Sequence, residues 1–372
     1  MKDRGFAPRF NAEEWAGAVG DFGTLLPIAF GVAMVTGMNL SSILLGFGLA
    51  YVFSGLYYRL PMPVEPMKAI GVVAIAGTLT SGQVIASGLM LGILLLLLGY
   101  SGTMGRLRMV VRDRVIRGVQ LGLALLLIKV SFDFMRQDVL LAVGACLIII
   151  GFQILRFRDV SALAALGLGI LVGVLAHGFP PIVLSLPISP VFPRWADFPG
   201  ALYQGVLPQL PLTVANAIFA TSLLTRDLLN QSVSDDRLAK TMGGMCLVGG
   251  FLGAMPMCHG SGGLAAQYRF GARTGGSNLI SGLILLVLAM FVATPHVLPI
   301  LPVGVLGALL LFSSVELVKV AFKTDGPLVT LLTGIMAPVT NLGLAFVAGL
   351  ATDIILRRAL KVRGGRLDGR QQ

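Results

Sequence analysis

The chain is a succession of apolar runs, most of them close to twenty residues long, separated by short charged gaps. Residues 84–101 carry no charge at all. A helix rises about 1.5 Å per residue, so about 20 apolar residues cross a hydrocarbon core of about 30 Å. Lipid offers no partner to a backbone N–H or C=O, so a crossing run of this length must be helical. On that basis we expect spans near 15–35, 40–58, 84–101, 115–131, 139–155 and 160–177. A second set is expected near 203–224, 241–254, 278–294, 299–318, 327–338 and 340–356. Two more segments, 61–78 and 255–273, open on Pro, Gly or polar residues and continue as apolar helix, so they read as broken membrane elements. The expectation is an all-α polytopic membrane protein with 14 elements.

Charge agrees with this reading. Only 12% of residues are charged, against roughly 25% in soluble domains, and the mean hydropathy is +0.88. The 48 glycines suit helices that approach closely in lipid, where packing replaces the hydrophobic drive. A net charge of +11 would suit nucleic acid only if it formed a stripe. Here the basic residues lie between apolar runs. With the N-terminus in the cytoplasm, all of the 28 Lys and Arg except Lys68, Lys129, Arg136 and Arg194 fall on inside segments. Both termini are therefore expected in the cytoplasm, and no nucleic-acid partner is expected. Residues 1–14 contain no signal-peptide core. Cys146, Cys246 and Cys258 lie in apolar segments without metal spacing, so neither a disulfide framework, a metal site nor a cofactor is expected.

A proline-rich connection at 178–202 divides the chain into a first repeat within 1–177 and a second at 203–358, ahead of a basic tail at 359–372. Each half holds seven elements. Seven is odd, so the second half must be inverted in the membrane. The broken element is the third of its half in both cases, that is, the third and tenth overall. Matching interrupted helices in inverted halves point to a binding site near the bilayer midplane.

Four segments carry the polar residues of that site. Asp21 and Thr24 belong to Gly20-Asp21-Phe22-Gly23-Thr24 inside the first span. A carboxylate there is costly unless partnered or functional. Pro63-Val64-Glu65-Pro66-Met67-Lys68 should be extended and start a helix at about Pro66. Its first N–H groups and positive dipole end would then hold an anion, with Lys68 one turn in. Glu65 opposes an anion, so it either pairs with Lys68 or takes a proton that travels with the substrate. Thr213 and Asn216, in Pro208-Gln209-Leu210-Pro211-Leu212-Thr213-Val214-Ala215-Asn216, are three apart and share a helix face. They serve either as uncharged donors or as interhelical contacts. His259, Gly260, Ser261, Gly262 and Gly263 form a glycine run before a helix, which brings backbone N–H groups close to a ligand. His259 is a candidate hydrogen-bond donor or proton carrier. Asp353 and Glu316 with Lys319 read mainly as helix-end pairs or interdomain contacts.

Together these motifs resemble the molybdate transporter family, a branch of the SulP anion transporters. The carrying residues are Gly20 to Thr24 with Pro27, Pro63 to Ala69, Pro211 to Thr213 with Asn216, and Pro256 to Leu264 continuing through Gln267-Tyr268-Arg269-Phe270-Gly271. The resemblance implies a 7+7 inverted repeat with a core (elements 1–4 and 8–11) and a gate (5–7 and 12–14). The anion would sit between the starts of the third and tenth elements, at Pro66, Met67 and Lys68 on one side and His259 to Gly263 on the other. The core would move against the gate like an elevator, within a homodimer. The family pattern has Gln where this chain has Glu65. No STAS domain is expected after Gln372.

The function expected is a proton-coupled permease for a small tetrahedral oxyanion, molybdate or sulfate, in a bacterial inner membrane, with Asp21 and Glu65 as proton-coupling or gating residues. A nucleobase or carboxylate proton symporter of the same fold is the alternative, and a passive anion channel is another. No HExxH and no compact Ser/His/Asp set occurs, so an enzyme is not expected.

Overall fold

The computed structural model describes residues 7–104, 112–155, 161–179, 184, 188–292, 300 and 302–368. Parts of the expected basic loops (Arg106, Arg108, Arg156, Arg158), linker prolines 180, 181 and 187, and the side chain of Glu316 lie outside what is described. The first half runs α1 (Ala12–Ala18), α2 (Phe22–Thr36), α3 (Leu40–Tyr58), β1 (Glu65–Pro66), α4 (Lys68–Ile75), α5 (Ser81–Ser101), α6 (Asp113–Met135), α7 (Val139–Ile154) and α8 (Ser161–His177). The second continues with α9 (Asp197–Leu229), α10 (Asp235–Phe251), β2 (Met257–Cys258), α11 (Ser261–Arg269), α12 (Gly276–Val287), α13 (Val303–Ala321), α14 (Pro327–Val339) and α15 (Leu342–Asp368). Among the described residues, five stretches are long and apolar enough to cross a bilayer: Ala12–Thr36, α3, α5, α6 and α9. Shorter apolar helices accompany them, α7, α8 and α14 among them. The chain is a mostly helical, multi-pass membrane protein.

Local chemistry sets the helix ends. Asn39 begins α3 by accepting from the Ser42 N–H at 3.1 Å. Thr80 and Gln83 form a reciprocal capping box at α5, and Ser234 accepts from the Arg237 N–H at the start of α10. Two expected spans differ from the sequence reading. The first is not one continuous helix: the chain turns at 19–21, and Asp21 sits in that break rather than mid-helix. Gly20 there lies against Phe270 and the Ala266 carbonyl, too close for a side chain. The eighth span, expected at 203–224, runs through α9 and includes π-helical stretches at Ala201–Val206 and Thr213–Ala220. Pro208 and Pro211 each lack an N–H for the i−4 ladder, and a widened turn absorbs the loss.

Two helix crossings hold the described core together. Where α3 meets α12, a side chain on Gly282 would come within 2.8 Å of the Gly48 carbonyl, and one on Gly48 within 3.1 Å of the Gly282 carbonyl. Where α5 meets α10, Gly243 and Gly92 stand in the same relation at the same two distances. Each crossing brings backbone against backbone, the contact small residues permit in lipid. Elsewhere α6 packs against α13 and α14, and α7 against α13. Asp353 of α15 is fully buried between Arg114, at 2.6 Å, and Arg357, at 2.5 Å. It therefore joins α15 to α6.

Candidate anion site

The segments expected at 61–78 and 255–273 meet. β1 and β2 pair antiparallel, Glu65 opposite Cys258 and Pro66 opposite Met257. The Met67 N–H extends the pairing to the Pro256 carbonyl at 3.0 Å. The prolines that end helix in each segment leave extended backbone, which finds its hydrogen-bond partner in the other half. From the two ends of this short antiparallel ribbon, α4 and α11 start.

The start of α4 differs from expectation. Helix begins at Lys68, with Met67 at the cap and Pro66 in the strand. One of its first amides is already engaged: the Ala69 N–H donates to Gln209 Oε1 at 2.8 Å. Gln209 Nε2 donates in turn to Thr213 Oγ1 at 3.0 Å. Thr213, fully buried, thus holds Gln209 in position.

The start of α11 is more open. Leu264 makes the first intrahelical bond, to the Gly260 carbonyl at 3.1 Å. The earlier N–H groups of the turn have no partner within the helix. Glu65 occupies the inner side: a side chain on Gly260 would overlap its carboxylate, and one on Gly263 would lie 2.8 Å from Oε1. On the outer side Gly262 is exposed, with Lys68 Nζ 3.9 Å from the position a Cβ would take. Lys68 Nζ pairs with Glu65 Oε2 at 3.2 Å, which is the pairing the spacing allowed. Ser261 Oγ donates to Asn216 Oδ1 at 2.6 Å, so the Asn216 amide keeps its two N–H donors. Ser261, Asn216 and Lys68 are all half-buried. Thr24, in the first turn of α2, is half-buried too, and α2 packs on β1 and α4.

His259 has a different role from the donor foreseen for it. It is fully buried, and both ring nitrogens are used inside the protein. Nδ1 meets the Pro63 carbonyl at 2.9 Å and Nε2 meets Thr241 Oγ1 at 3.0 Å. Tyr58 lies edge-on to the ring and its hydroxyl reaches Thr241 Oγ1 at 2.6 Å. The His259 carbonyl accepts from Thr221 Oγ1 at 2.9 Å. The residue ties the approach to β1 to α10 and α9. Asp21 joins another buried group: the Tyr51 hydroxyl donates to its Oδ2, and Gln267 of α11 lies beside it.

The sequence reading missed Gln209, Thr221, Thr241, Tyr51 and Tyr58. Gln209 stood within a motif already singled out. The others sit on ordinary helical stretches whose roles arise only from partners far along the chain. Adjoining this cluster at Asn216, a cavity of about 500 Å³ opens between α6, α9 and α15. Asn216 and Pro211 face it from α9, Arg117 and Gln120 from α6, and Phe346 from α15.

The sequence and the fold have known counterparts. A family model described as molybdate transporter of MFS superfamily matches residues 13–127 and 201–317. Molybdate transporter 1 of Arabidopsis thaliana is 32% identical, over 94% of this chain and 89% of its own length. Molybdate transporter 2 of the same plant is 30% identical over 95% and 88%. Among solved structures, the transmembrane domain of the cyanobacterial bicarbonate transporter BicA superposes with a TM-score of 0.67 at 19% identity, covering 94% of this chain and 98% of that one. Murine Slc26a9, an anion transporter in the inward-facing state, gives 0.70 at 13% identity over 97% and 69%.

Proposed function

From the premise that this chain belongs to the molybdate transporter family, and so is an anion transporter and not an enzyme, we propose that it carries molybdate as a secondary transporter. The anion sits at the opening of α11, against Lys68 Nζ, the Ser261 to Gly263 backbone and the Asn216 amide. One observation carries this reading: the β1–β2 ribbon sets Lys68 opposite the exposed Gly262 at a helix start. A tetrahedral oxyanion has acceptors on every side, which suits a cation, first-turn amides and an uncharged amide donor together. Gln209, Thr213 and His259 hold these groups in place from behind. The pairing of Glu65 with Lys68 leaves no free carboxylate for a neutral nucleobase ring, which disfavours the nucleobase alternative.

The inverted repeat and its division into core and gate belong to the same proposal. Helix packing supports it: the α3–α12 and α5–α10 crossings exchange places when element n is matched to element n+7, and so do α6–α14 and α7–α13. The cavity between α6 and α9 lies along the boundary between core and gate. Movement of the core along it, driven by a proton gradient, gives the elevator cycle.

Calorimetry on the detergent-purified protein with molybdate, tungstate, sulfate, bicarbonate and uracil tests the substrate. Molybdate and tungstate should bind and compete, and Lys68→Met should weaken both by at least about tenfold, the size of one charge-assisted contact. Binding of uracil with indifference to oxyanions would overturn the reading.

A further inference from the structure

The proposal above leaves open which group carries the coupling proton. We infer that it is Asp21, through Oδ1, and that Gln267 is the residue that positions it. The inference rests on the proton-coupled reading and names the site within it.

The observation is a set of buried polar atoms without partners. Asp21 is 2% exposed, and Tyr51 and Gln267 are fully buried. The Tyr51 hydroxyl donates to Asp21 Oδ2, so Oδ2 is an acceptor and any acid proton belongs on Oδ1. Among the described residues, Asp21 Oδ1 and both Gln267 amide atoms, Oε1 and Nε2, make no hydrogen bond, although the Gln267 amide lies beside the carboxylate. Unpaired polar atoms in such a place are costly. The groups facing Asp21 are Tyr51 from α3, Glu65 from β1, Lys68 from the start of α4 and Gln267 from α11. Lys68 is committed to Glu65. With both acids ionised the cluster holds two negative charges and one positive, deep inside a membrane protein, where an unpaired charge is expensive. A metal cation would need a full shell of oxygens. One proton needs a donor oxygen and an acceptor, which Asp21 Oδ1 and Gln267 Oε1 supply.

The position links proton to anion. Gln267 lies on the helix whose first turn carries Ser261 and Gly262, and Gly20, next to Asp21, packs on the Ala266 carbonyl of the same helix. When Asp21 takes a proton from water, Oδ1–H donates to Gln267 Oε1 and draws α11 toward the break between α1 and α2. When the proton leaves, the helix loses that tie. Proton occupancy and anion binding thus act on one short helix.

The test uses the full chain in proteoliposomes. Molybdate uptake is measured with and without an inward proton gradient, and the ratio is the readout. In wild type the ratio should exceed one. In Asp21→Asn, which keeps the shape and gives Gln267 an N–H donor, it should fall to about one whatever the absolute rate, because the titrating group is gone. In Glu65→Gln it should stay above one. A wild-type ratio of one would overturn proton coupling itself. A ratio that survives in Asp21→Asn, or is lost only in Glu65→Gln, would overturn the assignment to Asp21 and leave coupling standing. Should Asp21→Asn fail to fold, Gln267→Met is read instead. Removing the acceptor weakens proton binding, so the midpoint of the pH dependence should move down by about one pH unit, a tenfold change in proton concentration. A midpoint unmoved or shifted upward would overturn the inference.

Discussion

At the residue scale, the site depends on which side chains face substrate and which face protein. In the proposed site Lys68 would do both, since the same ammonium pairs with Glu65 and borders Gly262. Lys68→Met should therefore also destabilise the protein by about 3 kcal/mol, because a buried Glu65 is left unpaired. The double variant Lys68→Met, Glu65→Gln should recover most of that stability and still bind molybdate at least about tenfold more weakly than wild type. Thermal unfolding beside calorimetry separates the two effects, and equal stability of the single and double variants would exclude the pairing as the cause. His259 behaves otherwise. Its ring nitrogens serve Pro63 and Thr241, so His259→Ala should lower the melting temperature and weaken binding together. A variant that loses affinity at unchanged stability would return His259 to the anion's own shell.

At the element scale, the short ribbon and the glycine crossings position everything else. A helix broken by proline would expose backbone polar groups to lipid. Here each break is satisfied by the other, at Glu65 opposite Cys258 and Pro66 opposite Met257. In the proposed site neither segment would suffice alone. The crossings admit no side chain, so Gly243→Leu should separate α5 from α10 and cost at least about 3 kcal/mol, as overpacking at a backbone contact does. Gly144→Leu on α7, where a side chain would meet nothing within 4 Å, is the control, with an expected change of under about 0.5 kcal/mol. Unfolding of both in one detergent compares them directly, and similar losses would exclude close packing as the reason for glycine at 243.

At the scale of the whole molecule, the proposed cycle requires α9 to move past α6. The cavity bounded by Gln120 and Val214 lies between them. Cysteines at these two positions, with Cys146, Cys246 and Cys258 replaced, should stop uptake when cross-linked and restore it on reduction. Uptake that continues through the cross-link would exclude motion at this boundary. Asp353, buried between Arg114 and Arg357, ties α15 to α6 on the other side of that boundary. It belongs to the part expected to stay rigid.

Legible in the sequence were the membrane class, most helix positions and the two proline-rich segments that pair as β1 and β2. These follow from local physics: run length against bilayer thickness, proline against helix, glycine at close approach. The motifs at Asp21, Glu65, Thr213 and His259 were legible because polar and helix-breaking residues stand out in apolar surroundings. Their division of labour was not legible. That Gln209 takes the Ala69 amide, that His259 turns away from the opening, that Asp21 lies in a helix break beside Tyr51 and Gln267, all depend on partners brought together from distant parts of the chain. A hydrogen bond is decided by where its second atom comes to rest, and only the tertiary structure fixes that.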